Sequence, residues 1–533
     1  MTPYPWIVLA VALLALLLLG FVLYHFYTDP TETYPLAMYT VMVSLSVSFL
    51  CTLLIPIDIY VISEGDITSE TLHVRVSREM VQTAYLTLFS SMLIVAFFLV
   101  PYAYFYGEER GDIGDELDRF MRAKSALRST GFFVSFVIML FFLGLNFRPG
   151  HTESLNNLDA VKWVDDLLDV DHGGLNAVSF CIACITCLGL VGWAIYTAYG
   201  MAVMPFDWLR RRQSATEQRQ ELESSIAVIR EKHRRIQSKY AEDPGGNLDL
   251  ARVKAADRKE LNKLQREQKH LSHYNYQLQE LEQKAGTLIP QLLLFLVPFR
   301  FMVGVVMLFT SLLVAGSMAL TLGDRMLHST CGWSCGFAMS GSTYFNPTDE
   351  ILLYFSHWFP LDFIVLGFLV LYAFGSSLYG VVSLGLRILC FHIFTLRPRK
   401  SQPQALLMLC NVLSHILLAM CTVLLTLAPD YTSFGVQAAP VGTNAVDHRC
   451  SLERNTDEPV GSTRCQISVI SKFFTRIAIA MPLFPVLYFF ANTTFVLVFS
   501  VFFLRLALQD RPELVDTTHD EIDEEEVGLL SLS

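Results

Sequence analysis

Nine stretches of this chain are each apolar and long enough to cross a bilayer, and only one gap between them has room for a soluble domain. A spanning helix takes about 20 mostly apolar residues, and its backbone must be satisfied internally because hydrocarbon offers no water. The candidate spans lie near 5–27, 36–62, 81–106, 126–147, 175–206, 293–321, 352–382, 403–428 and 473–505. The expected fold is an all-α polytopic membrane protein with nine transmembrane helices in a 5 + 4 arrangement and a helical-hairpin arm in the cytosol. The halves are 1–206 and 293–505, the arm 207–292, and a disordered acidic tail follows at 506–533.

Composition agrees: 53% hydrophobic and 17% charged residues fit helices in lipid better than a soluble enzyme. The net charge of −11 has a local origin, because the acids crowd the segment from Asp510 to Glu526. No basic footprint for nucleic acid is present. The first apolar run has no Lys or Arg before it and ends in bulky Leu23-Tyr24-His25-Phe26-Tyr27. It reads as a retained span rather than a cleavable leader.

An odd number of spans puts the termini on opposite sides, and the distribution of Lys and Arg chooses between them. With the N-terminus lumenal and the C-terminus cytosolic, roughly three quarters of the basic residues fall on the cytosolic side. The short loop 383–402 is the best witness, with Arg387, Arg397, Arg399 and Lys400 and no acid. Cys331, Cys335, Cys450 and Cys465 then lie in the lumen, where disulfides persist. Cys450 and Cys465 bracket a polar loop that suits one bridge, while Cys331 and Cys335 are either a pair or two free thiols. Cys181, Cys184 and Cys187 share one helix face inside a span and read as packing residues, with no fourth ligand for a metal.

In the arm, Leu222, Ile226, Ile229, His233, Ile236 and Tyr240 follow the 4-3 spacing of a coiled-coil seam. Asp243-Pro244-Gly245-Gly246 breaks the helix, and Leu250, Val253, Leu261, Leu264, Leu271, Leu278 and Leu281 form a weaker return seam. The arm stiffens the membrane part or docks a partner. No phosphate-binding loop occurs anywhere in the chain, so ATP-driven work would need another protein.

A charged carboxylate at mid-bilayer costs about 2.5–3.5 kcal/mol on insertion scales, so acids in spans are functional suspects. Asp58 and Asp362 are the two, each two residues after a proline, and both fall toward the lumenal side. They are candidate ligand- or proton-binding groups that could share one vestibule. Equally, they compensate the backbone that Pro56 and Pro360 interrupt. Asn146, Asn176, Asn411, His415 and Asn492 read as interhelical hydrogen-bonding groups. No nucleophile–base–acid set appears, and the chain does not read as an enzyme. In the tail, Glu525, Leu529 and Leu530 have the form of an acidic dileucine sorting signal, which clathrin-adaptor proteins read.

Several segments together carry a resemblance. They are Leu53-Leu54-Ile55-Pro56-Ile57-Asp58-Ile59-Tyr60, Tyr196-Thr197-Ala198-Tyr199-Gly200-Met201 with Pro205-Phe206, and Phe359-Pro360-Leu361-Asp362. Arg397-Pro398, Pro403-Gln404-Ala405-Leu406-Leu407 with Cys410, and Leu427-Ala428-Pro429-Asp430-Tyr431 with Gly435 complete the set. On these the chain resembles the limb-region (LMBR-type) membrane proteins. The resemblance implies a nine-span protein of the lysosomal membrane that moves cobalamin (vitamin B12) to the cytosol, with cobalamin as cargo rather than cofactor. It also implies a partner, an ABC transporter of subfamily D, member 4. One departure is that animal members look heavily N-glycosylated, whereas this chain has no usable sequon in a loop. Two functions follow: cobalamin export, as transporter or accessory, or an endocytic receptor or trafficking scaffold like the lipocalin-binding members.

Overall fold

The computed structural model describes residues 4–28, 34–64, 71–112, 119–146, 173–209, 215–238, 264, 268, 271–272, 288–328, 344–388, 391–394, 396, 401–441, 446–450, 466–481 and 483–508. Cys331, Cys335, Cys465, Glu525, Leu529, Leu530 and most of the arm's return segment lie outside them. Among the described residues the chain is overwhelmingly helical.

Among the described residues, eight helices are long and apolar enough to span a bilayer: Trp6–Tyr27, Pro35–Ser63, Arg78–Glu108, Val178–Leu209, Phe301–Leu327, Leu361–Leu384, Pro403–Leu427 and Leu483–Leu508. Each coincides with a predicted span. The remaining prediction, 126–147, falls on the helix Arg119–Asn146, which is not one of the eight.

Two predicted spans prove to be composite. The stretch 352–382 divides at Pro360 into a short helix, Pro347–Ser356, and the apolar helix Leu361–Leu384. Proline has no N–H to continue the first helix. The stretch 473–505 likewise divides, into Val469–Ala480 and Leu483–Leu508, where the sequence carries Pro482. Pro101 has a milder effect. It cannot donate to the carbonyl of Phe97, and the turn before it, Val95–Leu99, widens to π geometry.

Pattern reading did not anticipate two small antiparallel hairpins in the loops. Leu386–Ile388 pairs with Phe391–Phe394, and Ala438–Val441 pairs with Val446–Arg449. A further bridge joins Thr28 to Ser401, so the end of the first span meets the start of the helix Pro403–Leu427.

The chain forms two compact units, Met1–Met204 with Phe309–Ser533, and Pro205–Leu308. At the centre of the first stand Pro35–Ser63 and Pro403–Leu427, with 78% of each apolar window buried, against 17% for Trp6–Tyr27. The central pair pack on each other, and Pro403–Leu427 also packs on Gly173–Gly192. Apolar side chains alone do not distinguish a neighbouring helix from lipid, so small and hydroxyl-bearing residues set the contacts. Ser44 and Ser414 share a hydrogen bond of 2.7 Å, and so do Thr197 and Ser377. Backbones touch where the Trp193–Thr197 region meets Leu361–Leu384. A methyl on Gly200 would stand 1.8 Å from the Ser376 carbonyl oxygen, and one on Gly380 would stand 2.1 Å from that of Tyr196. Trp193 is fully buried beside this contact and stacks on Phe495 at 4.8 Å.

In the second unit, the helix Ala215–Ser238 buries Ile226, Ile229 and Ile236. Ile229 and Ile236 cluster with Leu264 and Leu271, residues assigned above to opposite legs of the arm. The outer face of this helix is charged, as in the Arg235–Glu231 pair at 3.2 Å, one turn apart.

Candidate functional site

The polar chemistry of the bundle gathers at one end, around the short helix Pro429–Ser433. Asn346 begins the arrangement. Its carbonyl oxygen caps the helix Pro347–Ser356 by accepting from the amides of Thr348 at 3.1 Å and Asp349 at 3.4 Å. Its side-chain amide donates to the carbonyl of Leu427 at 2.9 Å and to Thr321. The cap therefore also ties off the end of the central helix.

Asp349, buried on that short helix, caps the next one. It accepts the amides of Tyr431 at 2.8 Å and Asp430 at 3.2 Å. A carboxylate before the first N–H groups of a helix is favoured by hydrogen bonding and by the helix dipole alike. Asp362 holds the same tyrosine from the other side. One of its oxygens accepts the Phe363 amide at 2.8 Å and the other the Tyr431 hydroxyl at 3.2 Å. Burial, with the adjoining Asp362 charge, keeps the Tyr431 phenol well above its usual range, so the hydroxyl retains its proton and donates.

Asp58 anchors the following segment. It is 1% exposed and accepts the Ile470 amide at 3.1 Å, at the start of Val469–Ala480. Arg78 and Lys472 supply positive charge nearby. Arg78 donates to the side chain of Gln466 at 3.1 Å and to the carbonyl of Ile467 at 2.9 Å. Burial first and Arg78 second push the Lys472 ammonium down to about 7, against the opposing pull of Asp58. Ser468 caps Val469–Ala480 and returns to Pro429–Ser433 through its hydroxyl, 2.6 Å from the Thr432 carbonyl. Gly435 (φ 62°) turns the chain against Ile59, where a methyl would sit 2.5 Å from a side-chain carbon.

Asp58 and Asp362 thus share a neighbourhood built around residues 429–433 and 466–472. Their carboxylates accept N–H and O–H groups of other segments. Among the described residues neither hydrogen-bonds to a carbonyl that Pro56 or Pro360 frees. Sequence reading passed over Asn346, Asp349, Arg78 and Lys472, and gave Tyr431 no role of its own. The Asn346-Pro347 pair is a helix-start signal and was available; the role of Tyr431 was not, because it depends on distant partners. Cys450 is buried and disulfide-bonded, to a partner outside the described residues. Cys181, Cys184 and Cys187 are free thiols. Among the described residues no three His, Cys, Asp or Glu side chains converge on a metal position.

A cavity lined by Trp193, Phe374, Ser377, Leu417 and Met420 measures about 10 Å³, room for one water at most.

The family model of the LMBR1-like membrane proteins matches residues 6–287. The chain belongs to this family. Among curated relatives of this LMBR1-like protein is the "Lysosomal cobalamin transport escort protein LMBD1" of Bos taurus, 27% identical over 545 residues, covering 99% of this chain and 97% of the relative. The "Probable lysosomal cobalamin transporter" of Emericella nidulans is 27% identical over 555 residues, covering 99% and 94%. That of Dictyostelium discoideum is 27% identical over 526 residues, covering 98% and 99%. No solved structure matches. These likenesses run nearly the full length of this LMBR1-like chain.

Proposed function

We propose that this LMBR1-like protein serves the passage of cobalamin from the lysosome to the cytosol as an escort that holds or delivers a transporting partner. The observation that carries the reading is the near-complete coverage of relatives named for lysosomal cobalamin transport. The close packing of the described helices supports escort over conduit. The helices Val178–Leu209 and Leu361–Leu384 close on each other through backbone contacts at Gly200 and Gly380, and the cavity beside them is about 10 Å³. Sites for drug-sized ligands run to several hundred Å³, and cobalamin is larger than most of those. The partner that fits is an ABC transporter, since the chain has no phosphate-binding loop of its own.

The proposed orientation puts the N-terminus in the lumen and the C-terminus in the cytosol, with nine spans. Contacts between loops support the alternation. Thr28 meets Ser401, and Gly107 lies against Tyr34, all assigned to the cytosolic side. Arg78 meets Gln466 and Ile467, assigned to the lumenal side. On this reading Asp58 and Asp362 are the groups placed to exchange protons with an acidic lumen, and Cys450 pairs with Cys465. The tail signal Glu525, Leu529 and Leu530 addresses the protein to lysosomes through adaptor proteins, and Leu529→Ala with Leu530→Ala should leave it elsewhere.

The deciding experiment is cobalamin efflux from isolated lysosomes that lack this protein, with and without the ABC transporter. Efflux should fall without it and recover when the full chain is restored. Unchanged efflux in both backgrounds would remove the reading.

A further inference from the structure

We propose that His357 is an axial docking ligand for the cobalt(III) of an incoming corrinoid, set in a small aromatic platform at the carboxylate-rich end of the bundle. The inference rests on the cobalamin reading above and adds a site to it. His357 is exposed on the protein surface in the turn between Pro347–Ser356 and Leu361–Leu384. Its Nδ1 lies 3.0 Å from the carbonyl oxygen of Leu353. A carbonyl oxygen only accepts, so Nδ1 carries a proton, and in the neutral ring the lone pair is on Nε2. No described residue hydrogen-bonds to Nε2. This is how metal-binding imidazoles are prepared: a backbone carbonyl takes one ring N–H, sets the tautomer and orients the other nitrogen outward.

Exposed aromatic side chains flank the imidazole. Tyr354 is 61% exposed and Trp358 54% exposed, and their rings meet edge to face at 5.4 Å. The Trp358 ring lies 6.4 Å from the imidazole. The platform is held from beneath. Leu352 and Leu353 are buried, Asn346 caps the helix that carries the platform, and Asp349 ties that helix to Tyr431. A ligand is well served when its own supports are locked.

The chemistry is a ligand exchange. In aquocobalamin the upper axial water leaves cobalt and the Nε2 lone pair takes its place. One Co–O bond breaks, one Co–N bond forms, and cobalt stays in its +3 state. No oxidant or reductant is needed. The bland account of the same geometry is a histidine satisfying the last turn of its helix, with aromatic rings at the membrane interface. That account predicts no effect on the cobalt spectrum.

The test uses the full chain purified in detergent and titrated with aquocobalamin, followed by visible absorption. The wild type should convert the aquo spectrum to that of an imidazole-ligated cobalt, and excess free imidazole should displace the protein. His357→Gln, whose amide still reaches the Leu353 carbonyl, should abolish the change while keeping the wild-type melting temperature. Trp358→Ala should weaken it several-fold. Cyanocobalamin, which keeps its axial cyanide, should give no change with either protein. A wild type that leaves the aquocobalamin spectrum unmoved, or a His357→Gln protein that shifts it fully, overturns the site. If such a wild type still restores efflux to deficient lysosomes, only the site falls. If deficient lysosomes release cobalamin normally, the underlying reading falls instead.

Discussion

The hydroxyl of Tyr431 donates to the carboxylate of Asp362 at 3.2 Å, joining the short helix Pro429–Ser433 to the start of the apolar helix Leu361–Leu384. Both groups are buried, and the amide of the same tyrosine is held by Asp349. A single residue is therefore gripped by acids from two helices. Tyr431→Phe keeps the ring and removes only the donor, leaving one Asp362 oxygen without its partner. A buried acceptor stripped of its hydrogen bond costs about 1–3 kcal/mol. Thermal unfolding in detergent should show that loss. In a double-mutant cycle with Asp362→Asn the two changes should be strongly non-additive, as expected for groups in contact. Additive losses would mean that the bond contributes nothing of its own.

The contact between Gly200 and Ser376 yields a second expectation. The obstruction to a methyl there is a backbone oxygen at 1.8 Å, which cannot move aside as a side chain can. Overpacking of a tight core commonly costs about 1–3 kcal/mol, and a helix–helix backbone contact belongs at or above the upper end. Gly200→Ala should lower the melting temperature sharply and reduce delivery of the protein out of its membrane of synthesis. Gly131→Ala is the matched control, since a methyl there meets nothing within 4 Å. Equal behaviour of the two variants would contradict the close approach.

The membrane architecture was legible because lipid leaves so few options. Eight predicted spans reappear as helices with little change in their apolar stretches. Errors fell where a proline splits one apolar run into two helices, at Pro360 and near Pro482, because mean apolarity does not register a missing N–H. Asp58 and Asp362 stood out for a local reason, charge within apolar sequence. Their partners did not. Ile470 lies 412 residues from Asp58, and Tyr431 lies 69 from Asp362. Those pairings are tertiary, and no spacing rule reports them. The arm lies between: the 4-3 spacing named Ile229 and Ile236, and both are buried against Leu264.

Asp58 supports a third prediction. It accepts the Ile470 amide and offsets the charge of Arg78 and Lys472. Removing one partner from a buried charged cluster typically costs about 3–5 kcal/mol, because the rest is left uncompensated. Asp58→Ala should therefore destabilise the protein far more than Asp58→Asn, which keeps an acceptor for the amide. A second substitution, Arg78→Gln, should recover part of the loss in each. If Arg78→Gln instead deepens it, the arginine stabilises through Gln466 and Ile467 rather than through Asp58.

Lys472 gives the pH dependence. Its folded pKa falls from 10.5 to about 7, chiefly through burial and then through Arg78. Between those values the unfolded chain holds a proton that the folded protein lacks, so stability rises with pH across this window. Below about 7 both states are protonated, and the cost of burying the ammonium is present in full. An acidic compartment is therefore where this residue weakens the protein most. Lys472→Met keeps the stem and deletes the charge, while Arg78 remains as counter-charge to Asp58. The variant should melt above the wild type on the acid side of 7, with the difference shrinking as the pH approaches 10.5. Melting curves in detergent across that range decide the point. A variant less stable than wild type at acid pH would show that the charge, set beside Asp58, is net stabilising.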